Sequence, residues 1–164
     1  MPPTNPITRT HIEQELAELG LSLPSPAKPI AAYVPTVRSG NQVIVSGQIP
    51  VVDGKLIAEG LVPNDVTEEE AQRCARRCVL NGLAAVFAEI AENEGIVKVL
   101  KLGCFVASPS DYGNHPKVAN GASELLAQIM GEAGRHARAA VGCSSLPINA
   151  PVEIEMLVEV GPVS

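Results

Sequence analysis

The stretch PVEIEMLVEV, residues 151–160, alternates apolar and polar side chains, and this pattern limits the fold more than any other feature of the sequence. The apolar set is Val152, Ile154, Met156, Val158 and Val160. The other set is Glu153, Glu155, Leu157 and Glu159. Because successive side chains of a strand point to opposite faces, the segment needs a core on one side of a sheet and a polar environment on the other. We therefore expect a sheet with helices packed on one face.

Two amphipathic segments are predicted to supply those helices. The first begins at Thr67, which forms a capping-box pattern with Glu70, and its first turn is acidic. Its apolar face is Ala71, Ala75, Cys78, Gly82, Val86 and Ile90. The second begins near Pro116 and ends in glycines. Its apolar stripe is Val118, Ala122, Leu125, Ile129 and Met130. Both spacings match one face of an α-helix.

The remaining strands are indicated by turn residues and apolar runs. A turn at residues 39–41 separates two strands within residues 31–50, and Asp53-Gly54 predicts a hairpin. Residues 96–108 and 137–143 read as further strands. Because helices fall between strands while hairpins occupy the ends, we expect the α+β class.

An extension precedes this main body. Residues 9–20 predict a short helix that places Ile12, Leu16 and Leu19 on one face and ends at Gly20. A proline-rich stretch over residues 22–35 then leads into the first strand. We place the boundary after residue 29, so that residues 1–29 form the extension and residues 30–164 the main domain.

Composition argues against several classes of function. The chain of 164 residues has a net charge of −6 and only 2% aromatic residues. Nucleic-acid binders use basic faces and aromatic stacking platforms, so we expect no nucleic-acid partner. There is no apolar run of membrane-spanning length and no apolar signal segment, so we expect no membrane association and a cytoplasmic location. The four cysteines are then expected to be free thiols, with Cys74 and Cys78 packed in the core.

The stretch HARAAVGCSSLP, residues 136–147, places Arg138 among small residues of a strand. Alternation puts Ala140 on the same face as Arg138 and Cys143 on the other. We expect the guanidinium on the sheet face opposite the helices, where the small neighbours leave room for an anion such as a carboxylate. The structural alternative is an ion pair with Glu153 or Glu155 at a subunit interface. His136 shares the face of Arg138 and is a candidate to tune its charge or contact a ligand.

Several of these features together resemble one known family. They are Arg138 with Leu146-Pro147 after it, VEIE at residues 152–155, SGQIP at residues 46–50, Tyr33 before that strand, and Asn120 in the second helix. In this order they are similar to the reactive-intermediate deaminase family, called RidA or YjgF-like and formerly endoribonuclease L-PSP. The resemblance extends over about residues 30–160.

The resemblance implies a chorismate-mutase-like sheet backed by two helices, in a homotrimer whose sheets face inward and whose clefts lie between subunits. Active members hydrolyse enamines and imines such as 2-aminoacrylate to 2-keto acids and ammonia, with no metal or organic cofactor. In this chain Arg138 would hold the substrate carboxylate, Glu153 would position a water molecule, and Tyr33 would close the pocket. Other residues that the resemblance places at the cleft are Ser46, Gly47, Asn120, His136, Ala140 and Cys143.

The chain also departs from the family pattern, which indicates a divergent branch. It has the N-terminal helix, a longer segment over residues 108–123, and Ala140 where many members have a cysteine. Cys143 is therefore considered as a nearby reactive thiol, and His115 as a surface residue.

Alternatives to an imine deaminase are a non-catalytic carboxylate-binding trimer with a sensor role, and RNA cleavage, which the acidic charge and scarce aromatics disfavour.

Overall fold

A computed structural model describes residues 5–26 and 32–163. Its helices are α1 (Arg9–Glu18), α2 (Glu68–Glu89) and α3 (His115–Met130). Its strands are β1 (Thr36–Ser39), β2 (Gln42–Gln48), β3 (Val51–Val52), β4 (Lys55–Leu56), β5 (Glu94–Ala107), β6 (Ala137–Cys143) and β7 (Val152–Pro162). The expected α+β class is confirmed.

The main sheet has the strand order β1-β2-β7-β5-β6. Every neighbouring pair is antiparallel except β5 and β6, which run parallel and leave β6 at one edge. Helix α2 packs over β2 and β7, while α3 packs beside α2 and over β5 and β6. The sheet therefore has both long helices on one face, and β6 runs alongside α3.

The alternation of the C-terminal strand is confirmed by burial. Val152, Ile154, Met156, Val158 and Val160 are each at most 3% exposed and lie in the core beneath the helices. The opposite face of the sheet carries apolar side chains that the described chain leaves uncovered. Val37, Ile44 and Val141 are 52%, 51% and 47% exposed. Val37 and Ile44 are paired neighbours on β1 and β2, and exposed apolar neighbours of this kind are typical of a surface that contacts another protein.

The predicted helix start and hairpin turns are also present. The hydroxyl of Thr67 accepts the backbone N–H of Glu70 at 3.2 Å, and the Glu70 carboxylate accepts the backbone N–H of Thr67 at 2.9 Å. This completes the capping box of α2. In the β3–β4 turn, Asp53 and Gly54 both have positive φ, at 51° and 77°, as primed hairpin turns require.

The N-terminal helix packs against α3 and adds Ile12 and Leu16, both fully buried, to the common core. Leu19, which the sequence places on the same face, is the C-cap of α1 and is 37% exposed. The proposed boundary at residue 29 stays a prediction, because residues 27–31 lie outside the described chain. Among the helices of residues 5–26 and 32–163, none has the length and hydrophobicity that crossing a bilayer requires.

Candidate functional site

Arg138 lies on the edge strand β6, and its guanidinium reaches the flank of α3. Its Nη1 donates to Asn120 Oδ1 at 2.9 Å and to Ser123 Oγ at 3.1 Å. The expectation that Arg138 faces away from the helices is wrong. Arg138 is paired in register with Leu102, which is fully buried, so both lie on the helix side of the sheet. The guanidinium is still exposed, because α3 leaves the outer margin of an edge strand open.

A chain of hydrogen bonds connects Arg138 to His136, as the shared face predicts. His136 Nδ1 lies 2.6 Å from the carbonyl oxygen of Gly134, and its Nε2 lies 3.0 Å from Ser123 Oγ. A carbonyl only accepts, so Nδ1 carries the proton, and the neutral ring accepts the Ser123 hydroxyl at Nε2. Ser123 then donates to His136 and accepts from Arg138, which fixes the direction of every bond in the chain.

The charge state of His136 follows from its surroundings. Burial lowers its pKa from the usual 6.5, and the positive charge of Arg138 lowers it further, against an opposing effect of the bond to Gly134. The neutral ring is therefore favoured, and it is the form that accepts from Ser123. Ser123 thus serves as the link through which a histidine positions the guanidinium of Arg138.

Glu153 occupies a different part of the sheet, on β7. It is paired in register with Phe105 and is half-buried on the face without helices. Gly47 on β2 leaves the space for its carboxylate, because a Cβ at Gly47 would lie 1.8 Å from Glu153 Oε1. Burial raises the pKa of Glu153 above 4.5, and the negative charge of Glu155 raises it further. A carboxyl group with a raised pKa is typical of groups that exchange protons.

Ser46, the other site residue predicted from the segment SGQIP, precedes Gly47 on β2. The Ser46 hydroxyl donates to the carbonyl of Val34 at 2.7 Å, and the Ser46 N–H donates to the carbonyl of Pro35 at 2.9 Å. These bonds hold the segment that carries Tyr33 against β2. The Tyr33 side chain is 63% exposed, so in this chain it lies at the surface and available to a second molecule.

Cys143 is half-buried at the end of β6, where its thiol donates to the carbonyl of Val106 at 3.6 Å. Burial raises its pKa, and the charge of Glu153 raises it further. The thiol form is therefore favoured, which opposes the hypothesis of a reactive thiolate. Cys74, Cys78 and Cys104 are buried in the core as expected.

The structure separates the predicted site residues into two groups. One group, at the flank of α3, is Arg138, Asn120, His136 and Ala140, to which the structure adds Ser123. The other group, on or beside the uncovered sheet face, is Glu153, Ser46, Gly47, Tyr33 and Cys143. We refer to them below as the arginine group and the glutamate group. Within the described residues, Arg138 forms no salt bridge with Glu153 or Glu155. The alternative of an ion pair at a subunit interface concerns a contact between chains and stays a prediction.

Two functional candidates were not found from the sequence. Ser123 follows Asn120 by three residues on a helix, a spacing that places both on one face and signals a shared contact. His115 was expected at the surface, but it is half-buried with Nε2 at 3.1 Å from Ser108 Oγ. The loop of residues 108–114 folds back over the start of α3, and this tertiary contact has no local sequence signal.

A comparison with known protein families finds that this sequence matches the model of one family. The model described as "YjgF/chorismate_mutase-like, putative endoribonuclease" matches residues 13–160, which include both groups and most of α1. The match agrees with the observed fold, a sheet with two long helices on one face.

Individual relatives agree with this match. Protein TCP17 of Trypanosoma cruzi is 40% identical over 149 residues, covering 90% of this chain and 93% of that protein. The crystal structure of Atu1372 from Agrobacterium tumefaciens, of unknown function, is 47% identical with a TM-score of 0.83 and 92% of each chain covered. The crystal structure of E. coli TdcF with bound serine is 27% identical with a TM-score of 0.55, covering 82% of this chain and 92% of that one.

Proposed function

The chain belongs to the YjgF/chorismate-mutase-like family, and on that premise we propose that it hydrolyses enamine and imine intermediates to 2-keto acids and ammonia. The reaction would take place in clefts between the subunits of a homotrimer. It uses neither a metal nor an organic cofactor, since the carbon of an imine is already electrophilic. The substrates are small 2-imino acids, whose carboxylate is recognised by Arg138.

The observation that carries this proposal is the state of the Arg138 guanidinium. Both of its hydrogen bonds use Nη1, and within the described residues Nε and Nη2 have no acceptor. One edge of a preoriented, exposed guanidinium is thus open to the two oxygens of a carboxylate, the geometry in which arginine binds most strongly. The bound serine of TdcF shows that a relative accommodates a small molecule with a carboxylate.

The separation of the two groups supports a site shared between chains. The Arg138 and Glu153 side chains point to opposite faces of one sheet, so a substrate contacting both needs two copies of the chain. The exposed apolar pair Val37 and Ile44, on the same sheet face as Glu153, offers a surface for that second copy. A head-to-tail contact that closes after three copies would bring each arginine group to the glutamate group of a neighbour.

The chemical steps follow from the residues placed at the cleft. The Glu153 carboxylate removes a proton from a water molecule as its oxygen bonds to the imine carbon, and the nitrogen takes up a proton. The resulting carbinolamine loses ammonia while its hydroxyl becomes the carbonyl of the 2-keto acid. An enamine first gains a proton at its terminal carbon to give the imine. Arg138 holds the carboxylate throughout, and so keeps the imine carbon near Glu153.

The test is keto-acid release from an imine generated in the assay by an amino-acid oxidase, corrected for spontaneous hydrolysis. We expect Arg138→Ala to lower kcat/KM by about 100-fold or more, because a charged hydrogen-bonding partner of the substrate is lost. The matched control is Arg135→Ala, which removes an exposed arginine paired with Glu132 at 3.0 Å outside both groups. Equal activity of wild type and Arg138→Ala, or a wild type no faster than buffer, contradicts the proposal.

The same experiment separates the enzyme from a non-catalytic carboxylate-binding protein. A sensor would be stabilised against heat by small carboxylates in an Arg138-dependent manner, with no turnover of any imine.

RNA cleavage, which the family description names, is not favoured for this chain. Its net charge of −6 and its 2% aromatic content provide little for phosphates and bases to bind.

A further inference from the structure

A polar pocket of about 310 Å³ lies at the opposite end of β6 from Arg138. Ser108, Tyr112, His115, Gly142, Cys143 and Ser144 are among the residues that line it. It lies where the end of β5, the loop after it and the start of α3 meet β6. None of the residues assigned to the arginine group lines this pocket.

The centre of the pocket is a hydrogen-bonded pair, Ser108 and His115. Ser108 is only 7% exposed, and its hydroxyl lies 3.1 Å from His115 Nε2. The Ser108 backbone N–H donates to the Cys143 carbonyl at 2.9 Å, and the Tyr112 ring meets the His115 ring edge to face at 5.1 Å. The Tyr112 hydroxyl donates in turn to Glu68 at 3.1 Å. The pair is therefore held in place from several sides.

Gly142 allows this pair to lie against the strand. A Cβ at Gly142 would be 2.4 Å from His115 Nε2 and 2.8 Å from Ser108 Oγ, closer than real contacts permit. Any side chain at this position would displace one member of the pair. The glycine thus keeps two polar side chains at the wall of a pocket, where they can reach a ligand.

The pocket and Arg138 lie on the same side of β6, where the strand faces α3. Arg138, Ala140 and Gly142 alternate along one face of the strand. On the helix, Asn120 contacts Arg138, and His115 is five residues earlier, about 7.5 Å along the axis. A ligand whose carboxylate binds Arg138 can thus direct its other end toward Ser108 and His115.

The chemistry of the pocket selects the kind of group it would take. Its lining has hydroxyl groups, an imidazole and a thiol, and it includes no lysine, arginine, aspartate or glutamate. An alkyl group there would remove these polar side chains from water without giving them a new hydrogen bond, and a carboxylate would have no counter-charge. A neutral group that both donates and accepts hydrogen bonds, such as an amide, matches the lining.

We propose that this pocket is the side-chain subsite of the cleft, and that it selects 2-imino acids with a neutral, hydrogen-bonding end such as an amide. The inference rests on the proposed function, because it takes Arg138 as the carboxylate site. The subsite takes the end of a side chain that extends along β6 from Arg138 toward Gly142. Glutamine carries an amide at the end of such a chain, whereas 2-aminoacrylate has no polar group beyond the carbon that bears its nitrogen.

The test measures binding of stable amino acids by calorimetry, using the full chain. We expect L-glutamine to bind at least about tenfold more tightly than L-norleucine, the difference that one or two neutral hydrogen bonds supply, and more tightly than L-glutamate. His115→Phe should reduce the glutamine-to-norleucine ratio to near one while leaving L-alanine binding unchanged. The control is His11→Phe, which changes an exposed histidine on α1.

Ser108→Ala provides a second variant in case His115→Phe disturbs folding, and it should lower the same ratio. A wild-type ratio near one, or a ratio that both variants leave unchanged, overturns the inference. Failure of the proposed function is recognised separately. If glutamine binding depends on Arg138 and His115 but no imine is turned over, the subsite stands and the hydrolysis does not. If imines are hydrolysed with no preference for the amide, only the subsite is lost.

Discussion

Arg138 and Glu153 point to opposite faces of the same sheet, on strands separated by β5. Their register partners on β5 are Leu102, buried beneath α3, and Phe105, on the face that no helix covers. Two side chains placed in this way cannot hold one small substrate from within a single chain. In the proposed function, each chain would therefore supply two incomplete half-sites.

Subunit mixing tests this arrangement directly. Arg138→Ala and Glu153→Gln are each expected to be inactive as homotrimers. When the two are unfolded and refolded together in equal amounts, about a quarter of the clefts should contain an intact arginine group from one chain and an intact glutamate group from its neighbour. We therefore expect recovery of roughly a quarter of wild-type activity, measured as keto-acid release.

The control for mixing is the double variant Arg138→Ala/Glu153→Gln refolded with wild type. In that mixture every intact half-site comes from a wild-type chain, so activity should again fall to about a quarter of the all-wild-type level. If both half-sites belonged to one chain, the mixture of single variants would stay inactive and the control would keep half its activity. A monomer in native mass measurement would contradict the shared site altogether.

Gly47 is expected to be required for activity more than for stability. A Cβ at this position would lie 1.8 Å from Glu153 Oε1, the mobile end of a side chain, so Gly47→Ala should displace the carboxylate. We expect a loss of activity of at least about tenfold with a change in unfolding free energy of about 1 kcal/mol. Keto-acid release and denaturant unfolding measure the two effects.

Gly113→Ala is the matched control, because nothing lies within 4 Å of a Cβ built at Gly113. Its activity should equal that of wild type. A Gly47→Ala variant with full activity would show that the position of the Glu153 carboxylate is not needed for the reaction.

The sequence predicts the fold well because most elements carry local signals. The capping box of Thr67 and Glu70, the Asp53-Gly54 turn and the alternation of β7 all appear as expected. The face of Arg138 was predicted wrongly, although the alternation of its strand was right. Alternation tells which residues share a face, but which of the two faces meets the core depends on pairing with β5, and this register has no local signal.

The candidate site, too, could be predicted from the sequence only where local motifs identify its residues. The site residues with motif positions, such as Asn120 and Gly47, were identified from the sequence, and the structure places each beside another predicted site residue. Ser123 was missed although it follows Asn120 by about one helical turn, and Ser108, at a loop position, has no distinguishing spacing. Their roles come from contacts between distant segments, which only the folded chain brings together.

His136 is expected to make the stability of the protein depend on pH. Its folded-state pKa lies below its unfolded value of 6.5, so below pH 6.5 the unfolded chain binds the proton more readily than the folded one. The free energy of unfolding should therefore fall as pH drops through 6.5, and this contribution should level off below the folded-state pKa. Denaturant unfolding at a series of pH values measures the fall.

The variant His136→Gln removes the imidazole that binds the proton and provides an amide that can form a hydrogen bond with Ser123. We expect it to lose less stability than wild type over the same pH range. As a control, His11→Gln changes an exposed histidine and should follow the wild-type curve. Parallel curves for wild type and His136→Gln would show that protonation of this ring does not oppose folding.

Glu155→Gln should move the acid limb of the pH–rate profile to lower pH. The proposed mechanism needs Glu153 ionised, and the pKa of Glu153 is raised first by burial and then by the negative charge of Glu155. Removing that charge lowers the pKa of Glu153, while burial still holds it above 4.5. The measurement is kcat/KM for imine hydrolysis against pH, corrected for the spontaneous reaction at each pH.

Glu159→Gln is the control, since Glu159 is on the same strand face and bonds instead to Asn41 at 2.7 Å. An acid limb that stays in place in Glu155→Gln would mean that a group other than Glu153 accepts the proton from water.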